Sequence, residues 1–128
     1  MTRTVWRARM VTAISVITVV SGLAQVVRPA FVLALIGAET TPASQHFFAI
    51  VGMFMVLFGG ALLHELASPA RQPIVALWAG LQKLGASAAV GLGVAGAVFS
   101  PLALMVAGFD LLSGILIVWY WRDSRQSS

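Results

Sequence analysis

Two ionisable residues, Lys83 and Asp110, lie inside long apolar stretches of this sequence. An ionisable side chain at membrane depth costs a few kcal/mol or more, so such residues are rare and are usually paired or functional. At about 1.5 Å rise per residue, Lys83 lies roughly 15 Å and Asp110 roughly 17 Å from the same end of their predicted helices. We therefore predict that they pair, with Gln82 and Ser113 as supporting polar residues.

Three interpretations of Lys83 and Asp110 remain open at this level. The pair can lock two helices in register, since pairing offsets the cost of burying each charge. It can form a buried polar site that binds a lipid headgroup, a quinone carbonyl or a proton. The two side chains can also fail to meet. No cofactor is predicted, although a quinone or a lipid would suit the second interpretation.

No catalytic or metal-binding pattern accompanies this pair. The chain has no cysteine. His46 and His64 would lie about 27 Å apart on one helix, too far to share a metal ion. His64-Glu65 begins like a zinc-protease motif, but Ser68 stands where the second histidine is needed. We predict no enzyme and no metal site, with His64 and Glu65 solvated at a membrane interface.

The composition explains why a membrane must surround these residues. Apolar residues make up 59% of the 128 positions, and charged residues only 9%, against about 25% in soluble domains. A soluble fold of this length could not bury so much apolar surface. The net charge of +4 flanks apolar runs and forms no patch, so nucleic acid is excluded as a partner.

Four segments are long and apolar enough to span a bilayer, which needs about 20 residues. Thr41-Pro42 and Ser100-Pro101 each read as a helix cap followed by proline at the first helical position. The prediction is one all-α transmembrane domain over residues 1–128, an antiparallel up-down four-helix bundle with helices at 10–27, 42–66, 73–99 and 101–121. A short apolar segment at 30–36 would lie at the outer interface. Alternatively, the first span could be a signal peptide.

The basic residues predict the orientation of these helices. With four spans, six arginines fall on the side that holds both termini, and Arg28 falls alone on the other side. Both termini are therefore predicted to be cytoplasmic. The interface anchors are predicted to be Arg28, Trp119, Tyr120 and Trp121, and Gln25 is expected to reach the headgroups beside Arg28. The six arginines are Arg3, Arg7, Arg9, Arg71, Arg122 and Arg125.

Small residues at helical spacing mark the predicted contact faces, because membrane helices associate by close packing. They are Gly52 and Gly59 in the second helix, Gly85, Ala89, Gly93 and Ala97 in the third, and Ala103, Ala107 and Gly114 in the fourth. These faces either hold one monomer together or, in the third helix above all, meet a second copy or a larger partner.

The order of these features resembles the DoxX-like group of small bacterial membrane proteins. The resemblance rests on Ser21-Gly22, on Arg28-Pro29 followed by an apolar segment ending in Gly37, and on the glycines of the second and fourth helices. It implies a compact four-helix membrane bundle, linked in some members to quinone-dependent oxidation of sulfur compounds as a small subunit. No site residue is carried over from it.

Three functions fit these features. The first is a non-catalytic small subunit or scaffold of a larger membrane complex, respiratory or oxidative in type, in a bacterial inner membrane. The second is a lipophile- or quinone-binding protein that uses Lys83 and Asp110. The third and weakest is a proton-coupled small transporter. The expected partners are the bilayer and a membrane protein or a second copy of the chain.

Overall fold

The computed structural model describes the backbone of residues 2–126 and the side chains of residues 5–126, so the side chain of Arg3 lies outside the description. The described residues form five helices and no strand. The helices are α1 (Thr2–Val27), α2 (Pro29–Leu35), α3 (Pro42–Ala67), α4 (Pro73–Ala95) and α5 (Ala103–Gln126). Four of them, all but α2, are long and apolar enough to cross a membrane. The predicted all-helical class with four long apolar helices is confirmed.

The helix termini follow local chemistry. Thr41 caps α3, because its hydroxyl accepts from the Ser44 backbone N–H at 3.0 Å while the Ser44 hydroxyl accepts from the Thr41 N–H at 2.8 Å. The third predicted span was drawn to residue 99, but α4 ends at Ala95. Ala97 adopts a left-handed backbone with φ of 60°, which cannot continue a helix.

The long helices form two hairpins, which we call the first hairpin (α1 with α3) and the second hairpin (α4 with α5). Glycines permit the closest approaches. A Cβ atom added at Gly22 would lie 2.5 Å from the carbonyl oxygen of Gly52, and one at Gly52 would lie 2.6 Å from that of Gly22. In the second hairpin, a Cβ at Gly114 would lie 2.7 Å from the Leu84 side chain.

The two hairpins meet mainly at the end of the molecule that holds both termini and the α3–α4 loop, which we call the terminal end. The buried apolar side chains that form the shared core all lie towards this end, and they are Val11, Ile14, Leu62, Ala76, Ala79, Ile117 and Tyr120. Arg7 on α1 forms an ion pair with Asp123 on α5, and its guanidinium lies 4.3 Å from the centre of the Trp119 ring. Apolar packing and an ion pair therefore join the hairpins here.

A second, smaller link joins the hairpins at the opposite end, which we call the loop end. The Ser100 N–H donates a hydrogen bond to the Ile36 carbonyl at 3.0 Å. Gly37 has a left-handed backbone with φ of +68°, and a Cβ there would lie 2.6 Å from the Ser100 Cβ. The short helix α2, which overlaps the predicted segment 30–36, leads into this link and buries Leu33 against the bundle.

Candidate functional site

Lys83 and Asp110 lie side by side between the two helices of the second hairpin. The Lys83 Nζ atom is 3.4 Å from Asp110 Oδ1 and donates a hydrogen bond to it. Lys83 is only 4% exposed and Asp110 only 8%. The structure therefore brings the two ionisable residues together, at the same level of antiparallel neighbours, with each charge facing the other.

The residues around the pair give it a mostly apolar setting. The Lys83 ammonium lies 5.4 Å from the centre of the Phe109 ring, within the range of a cation–π contact. One turn towards the loop end, the Ser87 hydroxyl donates to the Ala107 carbonyl at 2.8 Å and links the same two helices again. Two successive polar contacts, Lys83–Asp110 and Ser87–Ala107, therefore join this side of α4 to α5.

A small cavity adjoins Lys83 at the centre of the bundle. The volume available to the centre of a water molecule is about 10 Å³. Its polar lining residues are Ser15 and Thr18 from α1 and Gln82 and Lys83 from α4; apolar residues from all four long helices complete it. A space of this size is close to the lower limit for one water molecule and far below the several hundred cubic ångströms of a typical ligand pocket.

The two predicted supporting residues differ in their placement. Gln82 lines the cavity with Lys83, so it shares the polar centre of the bundle. Ser113 is buried, at 2% exposure, one turn from Asp110 on α5. It does not line the cavity. The residues that sequence reasoning missed are Ser15 and Thr18, whose helical spacing of three placed them on one face of α1.

A second polar cluster lies at the terminal end, around Glu65. The Tyr120 hydroxyl donates to Glu65 Oε2 at 3.3 Å, and the Gln72 backbone N–H donates to Oε1 at 3.3 Å. Arg71 donates to the Tyr120 hydroxyl at 3.0 Å and lies 4.0 Å from the Glu65 carboxylate. The prediction that Glu65 is solvated is therefore wrong: it is 4% exposed and its oxygens are satisfied within the bundle.

Tyr120 also departs from its predicted role as an interface anchor. It is 3% exposed and forms part of the shared core, because its hydroxyl has Glu65 as a partner inside the protein. Trp119 remains exposed and contacts Arg7, whereas Trp121 is partly buried against the core and its ring lies 4.7 Å from the Arg125 guanidinium.

At the loop end, Arg28 is exposed, but Gln25 is not. Gln25 was expected to extend towards headgroups, yet it is buried between α1 and α3 with its Nε2 atom 3.3 Å from the Met55 sulfur. The close approach of these helices at Gly52 encloses the side chain, since the Gln25 Cβ lies 2.7 Å from where a Gly52 Cβ would be.

The small residues of the predicted contact faces divide into two groups. Five of them pack within the bundle, namely Gly52, Gly59, Ala103, Ala107 and Gly114. Of the two alternatives, packing within the monomer is not what the α4 residues show. Gly85 and Ala89 are exposed, and a Cβ at Gly85 would meet no other atom within 4 Å. Gly93 packs on the Phe99 ring of the following loop, and Ala97 lies beyond the end of the helix.

The described residues contain no group of three histidine, cysteine, aspartate or glutamate side chains close enough to hold a metal ion. His46 and His64 are both exposed, at opposite ends of α3. The chain matches no family model, no curated protein and no solved structure. The geometry of the chain itself therefore carries the functional argument.

Proposed function

We propose that this chain is a non-catalytic small subunit of a larger membrane assembly, inserted in a bacterial inner membrane with the terminal end in the cytoplasm. The arginine distribution supports this orientation, because basic residues concentrate on the cytoplasmic side of membrane proteins. Arg28 lies at the loop end, and the other five arginines with described side chains lie at the terminal end: Arg7, Arg9, Arg71, Arg122 and Arg125.

The exposed face of α4 is the observation that carries this proposal. Gly85, Ala88 and Ala89 are exposed, and they lie between the larger exposed side chains of Trp78 and Leu92. Glycine lowers helix stability by about 1 kcal/mol relative to alanine, and here no intramolecular contact requires it. Small residues in this arrangement let a second helix approach closely in lipid. We infer that a helix of a partner protein packs here.

The internal geometry gives less support to the two other functions. A cavity with room for about one water molecule does not accommodate a quinone ring in this conformation. A proton pathway would need polar groups between Lys83 and the terminal end, but the side chains of Leu62, Ile117 and Val11, which pack there, are apolar. We therefore propose a structural role for the Lys83–Asp110 pair, which holds α4 against α5.

We include the resemblance to DoxX-like proteins in this proposal. It agrees with a compact bundle of four long helices and would make an oxidative membrane complex the natural place to search for the partner. No family model supports it, so the partner must be identified experimentally.

Purification of a tagged chain from its native membrane in mild detergent, followed by native mass spectrometry, tests the proposal. We expect a stoichiometric larger protein in complex with the chain. A lone monomer, or a dimer of the chain with no other protein, would contradict the subunit function. A monomer carrying a small hydrophobic compound would favour the lipophile-binding function instead.

A matched pair of variants tests the α4 face itself. Gly85→Leu should release the partner, because the larger side chain blocks the close approach of a helix, while its Cβ would meet no neighbouring atom within 4 Å. Gly108→Leu is the control, since Gly108 on α5 is equally exposed and equally free of neighbours but lies among large side chains. Equal retention of the partner by both variants would remove α4 as the docking face.

A further inference from the structure

We propose that the cavity beside Lys83 is a binding site for one water molecule that joins the two hairpins at the centre of the bundle. Its polar lining comes from both hairpins, with Ser15 and Thr18 on α1 facing Gln82 and Lys83 on α4. Its volume of about 10 Å³ for the centre of a water molecule is at the lower limit for one water and leaves no room for a larger ligand. A buried water also needs two to four polar partners, and this lining supplies them.

Lys83 has hydrogen-bonding capacity that Asp110 does not use. The ammonium group carries three N–H donors, and the structure gives it one acceptor, Asp110 Oδ1 at 3.4 Å. Lys83 lines the cavity and is only 4% exposed, so its remaining donors have very little contact with bulk solvent. An acceptor in the cavity would satisfy one of them without disturbing the pair.

The hydroxyl oxygens of Ser15 and Thr18, across the cavity from Lys83, are free to accept hydrogen bonds. The Ser15 hydroxyl donates its proton to the Val11 carbonyl at 2.8 Å, and the Thr18 hydroxyl donates to the Ile14 carbonyl at 2.8 Å. Each oxygen therefore offers lone pairs and no proton to a ligand. Both residues are almost fully buried, at 1% and 2% exposure, so bulk water does not reach these lone pairs.

This arrangement distinguishes water from an anion of similar size. A water molecule can accept from Lys83 and donate to the oxygens of Ser15 and Thr18, which makes three hydrogen bonds. A halide ion would face the same oxygen lone pairs without a proton to offer them, and the Asp110 carboxylate beside Lys83 would repel it. The donor and acceptor pattern therefore selects a neutral ligand that both accepts and donates.

The occupied site would give Lys83 a structural role beyond its own hairpin. The contact with Asp110 joins α4 to α5, and the water would extend the same network to α1. Since the apolar core lies towards the terminal end and the Ser100–Ile36 hydrogen bond lies at the loop end, this network would be a polar link between hairpins at an intermediate level.

The composition of the chain permits a direct test, because Lys83 is its sole lysine. Protein grown with lysine isotopically labelled at Nζ gives one side-chain ammonium signal in nuclear magnetic resonance. We expect this signal to show a cross-peak to a slowly exchanging water in the wild-type protein in nanodiscs. An ammonium signal without such a cross-peak would overturn the proposal, and this outcome needs no variant.

Variants assign the water to the cavity. Ser15→Ala with Thr18→Val removes both acceptors, and the water cross-peak should then be lost while the ammonium signal remains. Thr12→Val is the control, because the Thr12 hydroxyl makes the same kind of bond, to the Ala8 carbonyl at 2.7 Å, on an exposed face. A cross-peak that survives the double substitution in folded protein, or an ammonium signal that shifts when chloride is replaced by sulfate, would contradict a water site.

Discussion

Replacement of the Lys83–Asp110 pair offers the sharpest test of its structural role. At 3.4 Å and an effective dielectric constant of about 20, opposite unit charges attract by about 5 kcal/mol. Lys83→Met leaves the Asp110 carboxylate buried without a counter-charge, and Asp110→Leu does the same to the ammonium. Each single variant should therefore lose about 3–5 kcal/mol of unfolding free energy.

The double variant is the decisive measurement. Lys83→Met combined with Asp110→Leu removes both buried charges, and apolar replacements of buried ion pairs are often neutral or stabilising. We expect it to be more stable than either single variant, which corresponds to a coupling energy of at least about 3 kcal/mol. Arg28→Met is the control, since this exposed arginine should change stability by no more than about 0.5 kcal/mol.

The assay is reversible unfolding on transfer from a mild to a denaturing detergent, and the measured signal is the loss of helical circular dichroism. A double variant that loses the sum of the two single effects would show that the side chains act independently, and the structural argument would then fail. A double variant that is stable but no longer retains the partner proposed above would instead assign the pair a role in function rather than in maintaining the fold.

Three further substitutions and one control test the contacts that join the helices, each by the same unfolding assay. Tyr120→Phe removes the hydroxyl between Glu65 and Arg71 and should cost about 1–3 kcal/mol; no loss would mean that the cluster is not formed. Gly37→Ala should destabilise the protein by about 1–2 kcal/mol, because φ at Gly37 is +68° and the added Cβ would press on Ser100. Gly60→Ala is the control, because its Cβ would meet no neighbour within 4 Å, and it should stabilise the protein by up to about 1 kcal/mol. Equal effects of the two substitutions would contradict the loop-end link. Gly22→Ala should cost at least about 1–3 kcal/mol, because the added methyl group would meet the Gly52 carbonyl; a neutral result would show that α1 and α3 are further apart.

Much of the helical framework was predictable from local rules. Proline at a first helical position marks the start of α3 at Pro42, and the Thr41 cap confirms the chemical reason. The juxtaposition of Lys83 and Asp110 follows from counting residues back from the shared end of two helices joined by a short turn. Such arithmetic works because rise per residue is nearly constant in a helix.

The surroundings of individual side chains were less predictable, because they depend on which helix packs against the face that carries each side chain. Glu65 follows Leu62 by three residues and therefore lies on the same face of α3, so its burial could have been predicted from the spacing. Its partner Tyr120 could not, because it is fifty-five residues away in the sequence. The small residues of α4 show the converse problem. Spacing alone marked Gly85 as a contact residue, but it did not show that Gly85 is exposed on the outside of the bundle.

The division into two hairpins has a consequence for the order in which the chain can fold. The two long helices of each hairpin make most of their contacts with each other, so each hairpin can form as a unit before the two hairpins join. The connection between them, at the Ser68–Gln72 turn, carries few constraints besides the Glu65 cluster. The molecule is thus suited to division into two separately translated halves that recognise each other through the terminal-end core.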